Sequence, residues 1–545
     1  MLRGWRLVWR QLTPALHRHI STCSLALHDK PHRHLDLARI TADRKALDLL
    51  VHEYWENLAH YVSEPGFPPL SMRSVMKSPT PAKLREILET VVSTRPAGPM
   101  QGDLLPTLYV QQCCQMYKSL DEQHGKQEFF EVLASDFGVP SDESQSSAKA
   151  VLDAHASGSR KALLRAQQLL RHTMEPRHNI FFDLVNQLPG GTKFLIDLRA
   201  DLLQIIAKTK STPNDELLAL NDNFKEKLQH LLFGFLTLER ITWTSPAALL
   251  EKMSQNEAVH AVADWKDMKR RVGPGRRVYG FFFRNVPVEP LVFVHVALTD
   301  HIEGNVQNIL KGLTKTPEHR NDITTAIFYS ISSQRGLAGI ELGTFLIKRV
   351  VRTLQNEFPH IHTYTTLSPI PMFRSWLLGE QNGGGGYIDR EQDFLTEDEA
   401  KRFSQAFGKP ATRDYFKACV TDPSWTRNEQ QSAALKPILL RLCAQYILLE
   451  KRGKLALDPV ANFHLRNGAC AQRLNWRGDV SNNGFQTSFG IMINYNYIVD
   501  FIESNNQQYL ERGTISVSEV DNGYLTKCTE AASNLNKISG SRKSV

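Results

Sequence analysis

The period of the apolar residues changes after about residue 240, from helical throughout to strands mixed with helices, and that change limits the possible folds more than any other feature. From about residue 40 to 210 apolar residues recur three to four positions apart. Leu195, Leu198 and Leu202 share one face of 193–203 after the turn signal Gly190-Gly191, and Ala162, Leu163, Ala166, Leu169 and Leu170 repeat the pattern. Pro- and Ser-rich breaks at 78–81 and 141–147 separate such segments, Ser211-Thr212-Pro213 stops a helix, and a further helix is predicted over 215–240. Beyond it the apolar runs shorten and fill with β-branched and aromatic residues. Two strands are predicted over 278–284 and 291–298 with 285–290 as their hairpin loop, a third over 323–332 and a fourth over 361–367. Helices return at 342–357, 397–407 and 435–449, with Thr396 and Glu399 as a capping box for the second. The expectation is an α+β chain: an N-terminal all-helical bundle domain over 40–231, then a mixed α/β domain over 232–545.

Composition removes several function classes. The 545 residues are 41% hydrophobic, enough for a sizeable core, yet no run approaches 18 consecutive apolar residues, so no membrane span is expected. The formal charge of +8 comes without a long basic run, which argues against nucleic acid and suits a polyanionic small molecule. Cys23, Cys113, Cys114, Cys419, Cys443, Cys470 and Cys528 form no CxxC and read as reduced thiols. No His/Cys/Asp grouping has metal-ligand spacing, so no metal and no cofactor are expected. The first 28 residues hold Arg3, Arg6, Arg10 and Arg18 and no acid before Asp29, while Leu2, Trp5, Trp9, Leu12 and Leu16 share one helical face. That is the pattern of a mitochondrial transit peptide, so residues 1–39 are left out of the fold and the matrix is the expected address.

The strongest local signal for chemistry is strand, glycine loop, helix. Strand 323–332 leads into Gln334-Arg335-Gly336-Leu337-Ala338-Gly339-Ile340-Glu341-Leu342-Gly343-Thr344, and an apolar helix with Phe345, Leu346, Val350, Val351 and Leu354 follows. A helix N-terminus offers free N–H groups and a positive dipole end, and glycine lets the backbone approach a phosphate. The spacing is neither a Walker motif nor a dinucleotide fingerprint, and a plain turn remains the alternative. The order is similar to GNAT-type acetyltransferases, whose Gln/Arg-x-x-Gly-x-Gly/Ala loop binds the pyrophosphate of coenzyme A. There the next strand flanks the acyl group; here it ends at Ser368-Pro369-Ile370-Pro371. On local grounds Ser368 is a turn residue and His464 a core histidine. Lys269, Arg270 and Arg271 read as a solvated basic face, with attraction of adenosine phosphates as the alternative. Gly383–386 reads as a surface loop without a following helix start.

Together these stretches resemble the malonyl-CoA decarboxylase family. The matching segments are YSISSQRGLAGIELGTFLIKRVV (329–351), TLSPIPMFRSWLLG (366–379), LDPVANFHLRNGACAQRLNW (457–476), DWKDMKRRVGP (264–274) and GGTKFLIDLRADLL (190–203). The resemblance runs from about 150 to 500. It implies a helical domain followed by a GNAT-like catalytic domain, conversion of malonyl-CoA to acetyl-CoA and CO2 without a cofactor, control of the malonyl-CoA level, and a homo-oligomer, dimer or tetramer. It also implies a catalytic pair, Ser368 and His464, and a malonyl-CoA loop of Ala338, Gly339, Ile340, Glu341, Leu342, Gly343 and Thr344. Glu341 and Tyr497 fall on further active-site positions. The expected division of labour has Ser368 position the substrate and His464 protonate the nascent carbanion. Many members end in a Ser-Lys-Leu peroxisomal address; this chain ends Lys543-Ser544-Val545, so the mitochondrial address is preferred. Two other readings remain open: a GNAT-like acyltransferase moving an acyl group to an amine, and a non-catalytic acyl-CoA sensor.

Overall fold

The computed structural model describes residues 80–93, 105–122, 124–208, 214–286, 288–313, 319–340, 342–379, 385–391, 393–518 and 523–531. The expected transit segment, Ser211-Thr212-Pro213, Glu341, Gly383, Gly384 and the C-terminal tripeptide lie outside these residues, and Thr344 is described by its backbone alone.

The first part is helical, as its period predicts. Helix α1 (Gly191–Lys208) buries Leu195, Ile196, Leu198 and Leu202, and helix α2 (Asp215–Leu232) buries Leu217, Leu220, Phe224, Leu228 and Leu232. Asn214 caps α2 by accepting from the amides of Glu216 and Leu217. Two expectations are corrected. The helix predicted over 215–240 stops at Leu232, because Gly234 turns left-handed at φ 94° and the alternating sequence behind it forms a strand. The Ser-rich stretch 141–147 is no break; it opens helix Ser141–Ala156, whose Asp142 and Glu143 favour its N-terminus.

The second part is a mixed sheet. Its strands are β1 (Leu236–Ile241), β2 (Arg276–Phe283), β3 (Val292–Thr299), β4 (Thr325–Ser333), β5 (Thr363–Thr366), β6 (Ser368–Pro369), β9 (Cys470–Asn475) and β10 (Met492–Asn496); β7 (Lys451–Arg452) and β8 (Leu455–Ala456) form a separate ribbon. The four expected strands are present as β2 to β5. β1, β6, β9 and β10 were not foreseen. β10 is buried almost throughout, and its two asparagines hide it from an apolar pattern. Pairing is antiparallel everywhere in the sheet except between β4 and β5, which helix α3 (Leu342–Glu357) connects. Strand, glycine loop, helix and parallel strand make this part GNAT-like. The capping box forms: Thr396 Oγ1 accepts from the Glu399 amide at 3.3 Å, and Glu399 Oε2 from the Thr396 amide at 3.0 Å. The helix expected from 435 begins at Glu429, capped by Asn428. Among the described residues it alone is long and apolar enough to cross a membrane, and 67% of its apolar window is buried within the protein, as in a core helix.

The sheet opens where chemistry needs space. Parallel pairing of β4 with β5 runs from Thr325↔Thr363 to Phe328↔Thr366, followed by a last bond from the Leu367 amide to the Phe328 carbonyl at 3.0 Å. β4 then continues beside β3, while Ser368 pairs with Ile493 of β10. Pro369 has no N–H to offer β4, so the ladder ends there.

Candidate active site

Between the diverging strands lies a cavity of about 400 Å³. One wall is Phe328 to Ile331 of β4. The opposite wall is Leu367, Ser368 and Pro369, backed by helix α4 (Pro459–Arg466). The glycine loop forms its mouth through Ala338, Gly339, Ile340, Leu342 and Gly343.

The loop is moulded from below by the helical region. A Cβ at Gly336 would stand 1.8 Å from the carbonyl oxygen of Ile196 on α1, so only glycine lets backbone meet backbone here. Arg199, one turn on, is 1% exposed. Its Nη1 donates to the carbonyls of Gly336 at 2.5 Å and Ala338 at 3.0 Å, and its Nε to Asn221 Oδ1 of α2 at 3.2 Å. Burial lowers the guanidinium to about 10, with Asp222 opposing, so it stays charged. Gly339 takes φ 75°, and Gly343 lies in the first turn of α3, where amides lack intrahelical acceptors.

At the inner end the expected pair meets although 96 residues separate its members. Ser368 Oγ lies 3.0 Å from His464 Nε2, and both residues are 4% exposed. His464 is delivered by α4, whose first turn is set by Pro459 and by Asp458, which accepts from the amides of Val460 and Ala461. Tyr497 joins from the other side: its hydroxyl is 2.8 Å from His464 Nδ1. Tyr495 stacks on the imidazole at 4.9 Å. Burial lowers His464 to about 3, so the ring is neutral at ordinary pH, and pushes the Tyr497 phenol well up, so its proton stays on. Ser368 is also a donor to Thr366 Oγ1 at 2.8 Å, and that oxygen accepts from the Tyr495 amide at 3.1 Å. With the serine proton on Thr366, His464 Nε2–H donates to Ser368 Oγ, and Nδ1 accepts from Tyr497. The four side chains thus form one connected proton path.

Sequence reasoning missed two groups. Glu257 is buried beside His295, with Oε2 3.2 Å from Nε2, and accepts from Ser330 of the cavity wall at 2.6 Å. Burial pushes Glu257 up, but His295 and Ser330 outweigh it and hold the carboxyl well below its usual range. Asn494 of β10 donates to the Thr366 carbonyl at 2.6 Å and pins the strand beneath Ser368. Both look like surface residues by type, and only their burial reveals them. The solvated reading of the basic trio needs correction at one member. Arg271 is 3% exposed and paired with Asp267 at 2.9 Å, Arg270 reaches the same carboxylate at 3.4 Å, and Lys269 sits over Trp243 at 5.7 Å. At the glycine run a short helix, Tyr387–Arg390, does begin directly after Gly386, contrary to expectation. Among the described residues no group of His, Cys, Asp and Glu is placed to hold a metal ion.

Comparison with known proteins places these features in context. The family model for the malonyl-CoA decarboxylase C-terminal domain matches residues 234–534, and that for the malonyl-CoA decarboxylase N-terminal domain matches 137–232. Mitochondrial malonyl-CoA decarboxylase of Rattus norvegicus is 41% identical over 447 residues, covering 81% of this chain and 90% of its own length. That of Anser anser anser is 40% identical over 407 residues, covering 74% and 80%. The crystal structure of malonyl-CoA decarboxylase from Rhodopseudomonas palustris superposes with a TM-score of 0.67 at 34% identity, over 82% of this chain and 99% of its own. The Agrobacterium vitis structure gives 0.68 at 30%, over 82% and 99%.

Proposed function

The chain belongs to the malonyl-CoA decarboxylase family and is a carboxy-lyase that releases CO2 from malonyl-CoA, and from that premise we propose that the reaction runs in the cavity closed by Ser368 and His464. The observation that carries this reading is the buried hydroxyl–imidazole contact at the inner end of a cleft whose mouth is a glycine-rich helix N-terminus. The loop from Ala338 to Thr344 takes the diphosphate of coenzyme A, and the pantetheine arm runs inward between β4 and β6. The thioester then lies against Ser368.

Loss of CO2 leaves an electron pair on carbon that delocalises onto the thioester oxygen. Stabilising that oxygen lowers the barrier, and the donor to hand is the Ser368 hydroxyl, turned from Thr366 Oγ1 to the thioester oxygen while His464 Nε2–H holds the serine oxygen from behind. A thioester enolate is a stronger base than the alkoxide or imidazolate that would be left behind, so the neutral pair can surrender a proton to carbon. Solvent entering through the emptied cavity returns one proton to the pair, while Tyr497 keeps its own and holds Nδ1 as an acceptor, which fixes the Nε2–H tautomer. The almost complete burial of both groups keeps water from competing for the enolate. The protein acts in mitochondria. It works as a homo-oligomer, a proposal supported by the exposed Leu152, Leu164 and Leu169 on the two helices spanning 141–173.

The direct test supplies malonyl-CoA to the purified chain with a strong chelator and no amine acceptor. Acetyl-CoA and CO2 should appear in equal amounts. Absence of CO2, or activity that returns only when a divalent ion is added, overturns the reading. A second prediction concerns the loop. Gly339→Asp puts a negative charge into the diphosphate cradle, at a left-handed position. Affinity for acetyl-CoA should fall about tenfold or more, the size of one modest charge repulsion. Unchanged affinity in calorimetry removes the loop from the binding site.

A further inference from the structure

The mouth of the cavity is built from two distant parts of the chain, and the helical part brings a charge to it. On α2, Asn221 receives Arg199 Nε, and Arg199 in turn grips the loop carbonyls of Gly336 and Ala338. One helical turn further on, the same face of α2 carries Lys225. Its ammonium lies 3.8 Å from where a Cβ at Gly339 would stand, and Gly339 is exposed at the rim of the cavity. The neighbouring lysines are occupied: Lys193 pairs with Asp197 and Glu289, and Lys227 with Asp183. Lys225 has no carboxylate within ion-pairing distance among the described residues, although it is half-buried. Phe224 and Leu228 on either side of it are buried, so the helix cannot rotate the lysine away from the loop. Arg199 already occupies the carbonyl oxygens of Gly336 and Ala338, so neither of them is left to hold this ammonium.

We propose that Lys225 is a substrate-binding residue that the helical region contributes to the site, and that its ammonium pairs with the diphosphate of the acyl-CoA held on the Gly339 loop. The inference rests on the coenzyme A reading of the cavity and adds a ligand to it from outside the GNAT-like part. A diphosphate carries two negative charges, and the amides of the loop and of α3 supply only partial positive charge. A full cation at the open side of the loop completes the neutralisation, and long-range attraction raises the capture rate.

The test uses the full chain carrying Lys225→Glu, with Lys225→Ala as a milder companion. For Lys225→Glu, KM for malonyl-CoA should rise about tenfold or more with kcat nearly held, since a charge contact remote from the reacting carbon acts on binding. The Kd for coenzyme A by calorimetry should weaken by the same factor, and equally for dephospho-coenzyme A, which keeps the diphosphate and lacks the 3′-phosphate. The ratio of kcat/KM on malonyl-CoA to that on malonyl-pantetheine, which has no phosphate, should fall in step. An equal loss on malonyl-pantetheine means a structural role and overturns the proposal. So does an effect that disappears with dephospho-coenzyme A, which moves the contact to the 3′-phosphate. Coenzyme A binding is read without turnover, so the two readings fail separately. A wild-type chain that binds coenzyme A but releases no CO2 defeats only the decarboxylase reading. A Lys225→Glu chain with unaltered KM and Kd defeats only this one.

Discussion

Replacing Ser368 by alanine or His464 by asparagine is expected to lower kcat about 10²-fold or more, the scale of losing an oxyanion donor or a general acid. Affinity for malonyl-CoA should change little, because the proposed binding mode places most contacts to the coenzyme at the loop. Their 3.0 Å contact makes them one unit, so the double variant should lose little beyond the worse single variant. Steady-state kinetics with stopped-time product analysis reads all three; fully multiplicative losses would mean independent roles. Normal turnover in His464→Asn would falsify its assignment as proton donor and pass that role to Tyr497, whose hydroxyl already lies 2.8 Å from the ring. The same histidine leaves a mark on stability. Its folded value of about 3 lies below the ordinary 6.5, so below pH 6.5 the unfolded chain binds this proton first. The stability that neutral His464 carries is complete above 6.5 and drains as pH falls towards 3. Melting temperatures between pH 7 and 4 should therefore drop less steeply in His464→Asn than in the wild type.

Gly336→Ala is expected to be the most damaging single methyl group at the mouth of the site. The added carbon would meet the Ile196 carbonyl oxygen at 1.8 Å and its carbon at 2.7 Å. Both obstacles are backbone, so no rotamer change relieves them, and the loop must lift off α1. Lifting it breaks the bonds from Arg199 Nη1 to Gly336 and Ala338, leaving this residue, which is 1% exposed, with Asn221 as its remaining acceptor. We expect a loss of about 3 kcal/mol or more in stability, from overpacking plus a stranded buried charge. Coenzyme A affinity should fall with it, because the loop amides are displaced. Thermal unfolding and calorimetry check both, and a variant that matches the wild type in each would show that the loop does not rest on α1.

Much of the molecule could be read from local pattern. The change of apolar period separated an all-helical region from a mixed one, and strands β2 to β5, helix α3 and the capping box at Thr396 followed from residues within a few positions of one another. Local rules work there because a helix or strand records in its own sequence which face will be buried. They lost β10, whose Asn494 is fully buried and bonded to the Thr366 carbonyl, because a satisfied core asparagine and a surface asparagine are the same letter. Ser368 and His464 were found through resemblance to a family, since no spacing rule links residues 96 positions apart.

The sequence by itself therefore determined the classes of the two regions, the glycine loop and the helix start behind it. Tertiary structure alone decided what surrounds them. It parted β4 from β6 to make the cavity, set Ile196 and Arg199 under a loop some 137 residues away, and took His464 out of water so that it stays neutral. The physical reason is one of range. Backbone hydrogen bonding and amphipathic period act over a few residues and are written locally. Burial, the pairing of buried charges and the closing of a site depend on which distant surfaces meet, and that is settled only when the whole chain packs.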